Sequence, residues 1–153
     1  MGSIENGEKR PNVTVDKLPY EEVNALLRED AGDYCLKLVL KGVWYRMIES
    51  GEKVEEYREI TPYWCNRLLY YGSLGAEEFW DGVIKNTKDL KTLAEYGTRE
   101  YDTVTFYHGY AKNRPQMTLE FKGIEIKEGK PEWGAEPGKL YFVINLGKIL
   151  NNG

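Results

Sequence analysis

Cysteine is scarce in this chain: Cys35 and Cys65 are its only two among 153 residues. Two thiols cannot build the disulfide framework of a small secreted domain, so both read as reduced core groups of a cytoplasmic protein. Histidine is scarcer still, with His108 alone, and no Cys-x-x-Cys occurs. Neither a metal site nor another cofactor is therefore expected. No apolar run approaches the ~18 residues of a membrane span, and no signal-peptide pattern is visible. Excess positive charge is also missing. The formal net charge is −4, which argues against a sequence-blind grip on nucleic acid. Internal repeats and low-complexity tracts are absent.

What is present describes a globular chain. Hydrophobic residues make up 41% and charged residues 30%, enough for a single domain with a real core. The acidity is concentrated at one end. Residues 1–33 hold 4 basic and 8 acidic residues, which leaves 17 of each sign for residues 34–153. The body is neutral and has room for a local basic patch.

Residues 1–17 are polar and aperiodic and read as a flexible leader. Residues 18–33 read as an N-terminal helix, opened by Pro19 with Glu21 and Glu22 in its first turn. A strand is expected over 34–41, then a short helix over 43–50 with Trp44, Met47 and Ile48 on one face and Gly51 as its stop. A second strand spans 53–60. Thr61 and Pro62 open another helix, with Trp64, Leu68 and Tyr71 as its stripe. A further helix over 76–86 should bury Phe79, Trp80, Val83 and Ile84. The region from about 62 to 97 thus reads as a helical insertion, and a protein-binding surface is a second role for it. Strands follow at 103–107, 117–127 and 139–146. Gly123 stands where the alternation of the middle one slips phase, which predicts a bulge. The sum is an α+β fold with a small curved barrel-like sheet.

The densest chemistry lies in Gly51-Glu52-Lys53-Val54-Glu55-Glu56-Tyr57-Arg58. Strand parity puts Val54, Glu56, Arg58 and Ile60 on one face and Glu55, Tyr57 and Glu59 on the other. Val54 and Ile60 imply that the first face is at least partly covered, so Glu56 and Arg58 should be paired or meet a ligand. Lys53, at the turn into the strand, can swing toward Glu56. Charges on a strand also mark an edge or a solvated face, and spacing does not decide between the two.

The pattern Gly-x-Lys-x-x-Glu-x-Arg, carried by Gly51, Lys53, Glu56 and Arg58, resembles the signature of the ASCH domain family. The strand Lys37-Leu38-Val39-Leu40-Lys41 before it, the intervening helix, Tyr101 to Phe106, and Tyr141 to Ile144 are similar to ASCH elements as well. The resemblance covers about residues 34–148 and implies a PUA-like β-barrel domain over 34–150. It further implies a cleft beside the first helix, lined by Lys53, Glu56 and Arg58, that binds RNA or a nucleotide-like small molecule. Arg58 would hold a phosphate bidentately, Lys53 would add a point charge, and Glu56 would accept from a base or orient Arg58. Some ASCH-like proteins are amidohydrolases on acylated cytidine, using a Lys and a Thr of this motif, and others are ribonucleases. Lys53 is the best catalytic candidate in that alternative, but Glu56 stands where the hydroxyl is needed. A non-enzymatic interaction module is the third alternative.

Three further residues are candidates for ligand contact beside Trp44. Tyr107 and His108 end a strand and offer stacking surfaces, or are plain surface groups. Trp133 lies in a turn-rich loop and is either a plug for the barrel end or a stacking lid. Lys112, Arg114, Lys122, Lys127 and Lys130 suggest a basic stripe, but interleaved glutamates also fit a solvated strand face.

Overall fold

The computed structural model describes residues 4–5, 9–10, 34–70 and 77–152. By contacts the chain divides into two units, one of residues 1–33 with 60–97 and one of residues 34–59 with 98–153. The expected helix at 18–33 lies outside the described residues. Within the leader, β1 (Ile4–Glu5) and β2 (Lys9–Arg10) form a short antiparallel pair.

The second unit carries the sheet. Its strands are β3 (Cys35–Leu40), β4 (Glu55–Arg58), β5 (Thr103–His108), β6 (Gln116–Glu128) and β7 (Leu140–Asn151), with helix α1 (Gly42–Glu49) between β3 and β4. They are ordered β3-β5-β6-β7-β4, and only β3 and β5 run parallel. This mixed five-stranded sheet curls into a half-barrel, with β3 and β4 as its two edges.

Period-two patterning explains the inner face. Leu36, Leu38 and Leu40 of β3 are buried while Lys37 points out, and Met117 and Leu119 continue that layer on β6. Phe106 and Phe142 are fully buried, each worth about 1.5–3 kcal/mol of burial. In β7, Tyr141, Phe142, Val143 and Ile144 are all buried, so both faces are covered there. The outer cover is a small second cluster of Ala135, Tyr141 and Val143 with Tyr57 packed against it.

The β6 irregularity falls where the phase slip predicts it. Register shifts between Phe121 and Ile124, and Gly123 adopts a φ of 111°, a conformation in which a Cβ is strained. Strand β7 continues to Asn151, five residues past the expected end. Gly147, inside that extension, is a close approach: a Cβ there would lie 2.5 Å from Glu120 Oε1. The stripe of α1 also differs from expectation. Tyr45 and Ile48 are buried, and Trp44 and Met47 are half-buried on the flank.

In the first unit, α2 (Pro62–Leu68) is capped as expected, with Thr61 Oγ1 accepting from the Trp64 N–H at 3.3 Å. It buries Cys65 and Leu68, while Tyr71 lies outside the described residues. Helix α3 (Glu77–Asn86) buries Trp80, but Phe79 remains 49% exposed, against the expectation. Val83 and Ile84 are only half-buried, and Phe79, one turn before Val83 on the same side, stands in the helix's first turn. Phe79 packs edge-on to Trp80 and Tyr96 instead. A 3-10 helix over Leu90–Tyr96, capped by Asp89 through the Lys91 N–H, has no counterpart in the sequence reading.

The two thiols separate chemically. Cys65 has no exposed surface, and burial pushes its pKa up to about 12. Cys35 is partly exposed, with its Sγ 3.2 Å from Thr105 Oγ1. A thiol-reactive disulfide reagent is expected to modify one cysteine in the folded protein and the second only after denaturation. Two rapid thiols would show that the helical unit opens readily.

Candidate functional site

The local geometry begins at the end of α1. Gly51, at a φ of 85°, reverses the chain after the helix. The Lys53 N–H can then bond back to the Met47 carbonyl at 3.0 Å. That bond tucks the Lys53 side chain inward, where its Nζ donates to the Glu55 carbonyl and to Glu56 Oε1, the latter at 2.6 Å. The other Glu56 oxygen accepts from Arg58 Nη1. Glu56 thus stands between two cations, one on each carboxylate oxygen. This realises the same-face placement of Glu56 and Arg58 and the inward swing of Lys53.

Arg58 reaches further. Its Nη1 also donates to the Tyr57 carbonyl at 2.8 Å, and its Nη2 to the Val39 carbonyl at 3.1 Å. Val39 belongs to β3 and Arg58 to β4, the two edges of the sheet. One guanidinium therefore bridges the seam of the half-barrel. Burial is graded along the network: the side chain of Lys53 is 0% exposed, that of Glu56 8% and that of Arg58 15%.

Aromatic rings flank the amine. Lys53 Nζ lies 5.8 Å from the centre of the Trp44 ring and 5.0 Å from that of Tyr57, within cation–π range. The Tyr57 hydroxyl donates to Glu55 Oε1 at 2.7 Å and accepts from the Lys130 N–H at 3.0 Å. It thereby ties the 129–138 loop to β4. Burial holds that hydroxyl protonated above the ordinary phenol range. Burial lowers the Lys53 pKa, and the Glu56 carboxylate opposes the shift without cancelling it.

Not every expected member joins. Val54 is 46% exposed rather than covered, because β4 begins only at Glu55 and parity does not extend back into the turn. Trp44 stands against the loop, where a Cβ on Gly134 would come within 2.9 Å of its ring. Trp133 is buried, with Lys130 Nζ 4.5 Å over its ring. Tyr107 and His108 lie beyond the seam, paired with Val39 and Leu40 across the β3–β5 ladder. One face of each is taken, by Arg114 at 4.2 Å over Tyr107 and by Tyr45 stacked at 5.2 Å on His108. A cavity of about 220 Å³ touches Lys53 from the C-terminal end of α1, lined also by Ile48, Val54, Leu146 and Lys148; Glu56 and Arg58 do not line it. Among the described residues no cluster of three metal-ligating groups occurs, and no helix is long and apolar enough to cross a membrane.

Two participants escaped the sequence reading. The Val39 carbonyl carries no side-chain signal at all. Strand parity puts Tyr57 on the face opposite Glu56, and its ring still reaches Lys53 because the lysine enters from the turn rather than from the strand. Comparison of the chain with known protein families, with curated proteins and with solved structures finds no match in any of the three.

Proposed function

We propose that this chain is an ASCH-like, PUA-like domain that binds RNA or a nucleotide-like ligand at the seam of the half-barrel. The observation that carries this reading is the convergence of Lys53, Glu56 and Arg58 into one network, with exposure rising from the amine to the guanidinium. The strand–helix–strand order of β3, α1 and β4 supports it. In this reading Arg58 is the ligand contact, and its planar fork suits a phosphate. Glu56 and Lys53 orient Arg58 from beneath and do not touch the ligand. The hydrolase alternative requires Lys53 to reach a substrate, and its side chain has no exposed surface.

A second reading has its own observation. The bond from Arg58 to the Val39 carbonyl joins the two sheet edges, so the motif can act as a structural staple. Titration with mononucleotides and a short single-stranded RNA separates the two. One charge-assisted hydrogen bond contributes about 1.5–3 kcal/mol. Arg58→Ala is therefore expected to weaken binding roughly 10- to 150-fold, and Arg58→Lys to restore only part of it. Unchanged affinity in both variants, with a lowered melting temperature, would leave the staple alone standing.

A further inference from the structure

Four stretches longer than 14 residues carry no Asp or Glu (34–48, 60–76, 103–119 and 137–153), and the first and third are neighbours in the sheet. Strands β3 and β5 pair in parallel from Cys35↔Thr103 to Leu40↔His108, so these two stretches leave the sheet at the same end. One continues into α1 and the other into the hairpin tip between β5 and β6. Across their junction, a Cβ on Gly42 would lie 2.6 Å from His108 Nε2 and 2.9 Å from Arg46 Nη1. The imidazole and the guanidinium therefore gather over one spot that glycine leaves open.

Three lysines around β6 and β7 are answered by carboxylates. Lys122, Lys127 and Lys139 pair with Glu120, with Glu55 and Glu125, and with Glu59 and Glu136. Among the described residues, no carboxylate lies within ion-pair distance of Arg46, Lys112 or Arg114. The tip also carries Tyr110, at 84% the most exposed large aromatic ring among the described residues. The Arg114 guanidinium lies 4.2 Å over the Tyr107 ring. A single exposed tyrosine is ordinary on a surface, so it is the cations beside it in sequence that give the ring a candidate partner. Unpaired cations around a free ring are what a nucleic-acid strand takes: a base stacks on the ring while its phosphates meet the cations.

We infer that the β5–β6 hairpin tip, with Arg46 and His108, is a docking surface for single-stranded RNA. Tyr110 stacks on a base, and Lys112, Arg114 and Arg46 hold consecutive phosphates. The inference deepens the seam reading, because Val39, the acceptor of Arg58, pairs directly with Tyr107 at the base of the same tip. A strand crossing the tip runs on toward Arg58. The ligand class is therefore narrowed from any nucleotide to a single strand several residues long.

The test measures fluorescence anisotropy of a labelled 12-mer RNA, the same RNA as a duplex, labelled AMP, and a labelled Glu-rich peptide. Tyr110→Ala is expected to weaken the single strand roughly 5- to 150-fold, the span of one lost base stack. Lys112→Glu with Arg114→Glu should weaken it roughly tenfold or more and flatten the salt dependence by about 1.4 log units per log unit. Both variants should leave AMP binding and the melting temperature unchanged, since the tip is exposed. Single-strand affinity equal to wild type in both variants overturns the inference, whatever Arg58→Ala does. AMP binding without RNA binding overturns the tip and leaves the seam reading intact. No binding of either overturns both. Binding of the acidic peptide in place of RNA overturns it in favour of a protein partner.

Discussion

Replacing Glu56 with Gln is expected to lower the unfolding free energy by about 3–5 kcal/mol, the usual cost of removing one partner from a buried ionic group. Here the loss is severe because Glu56 answers two cations at once, Lys53 Nζ on one oxygen and Arg58 Nη1 on the other. The amide keeps the shape but strands a lysine with no exposed surface. At about 2–4 °C per kcal/mol for a chain of this size, the melting temperature should fall by roughly 6–20 °C. Denaturant titration of both proteins measures the difference, and a loss under about 1 kcal/mol would show that the network contributes no more than a surface pair.

Two controls give that loss its cause. The double variant Lys53→Met with Glu56→Leu removes charge and countercharge together and should recover part of the stability. The second control is pH. The fold holds the Lys53 proton more weakly than the unfolded chain does, because burial lowers its pKa from the ordinary 10.5. Between the lowered value and 10.5 the unfolded state binds more protons, so stability from this group rises with pH. Glu56 is the largest influence that raises the Lys53 pKa. Without it the window widens downward, and the deficit of Glu56→Gln should narrow as pH climbs toward 10.5. A deficit that stays constant or grows would place the damage elsewhere.

The sequence disclosed this network well and its setting poorly. Side-chain alternation in β4 is local, so the shared face of Glu56 and Arg58 could be read from two positions. The swing of Lys53 could be read because Gly51 marked a turn. The bridge to Val39 could not, because a backbone carbonyl has no sequence signature and the partner strand is 19 residues away. Phe79 and Val54 failed for one reason: each adjoins residues of a real apolar or strand pattern, and hydrophobicity alone does not say where that pattern begins. Gly123 and Gly147 show the same ambiguity for glycine. One was legible as a bulge because flanking isoleucines fixed the phase. The other left no mark, because the close contact with Glu120 that requires a glycine lies 27 residues earlier.

Trp133→Ala should cost about 3 kcal/mol, at the low end of the range for large buried aromatics because the residue sits near the surface. Trp133 lies in a one-turn 3-10 helix over Pro131–Trp133, closed by bonds from its own N–H and that of Ala135 to the Lys130 carbonyl. Lys130 covers the ring from outside, and its N–H holds the Tyr57 hydroxyl. Removing the indole therefore loosens the tie between the loop and β4, and with it the ring that flanks Lys53. Mass-spectrometric footprinting with an amine acylating reagent should find Lys53 protected in the native protein and modified in Trp133→Ala below its melting temperature. Trp133→Phe, which keeps an aromatic plug, should lose less than half as much stability and leave Lys53 protected. A stacking lid predicts the reverse pattern: unchanged stability, unchanged protection and a weaker grip on nucleotide. The burial of the ring, with Lys130 already over it, favours the plug. A plug couples the loop to the network through Tyr57, whose hydroxyl the Lys130 N–H holds and whose ring flanks Lys53.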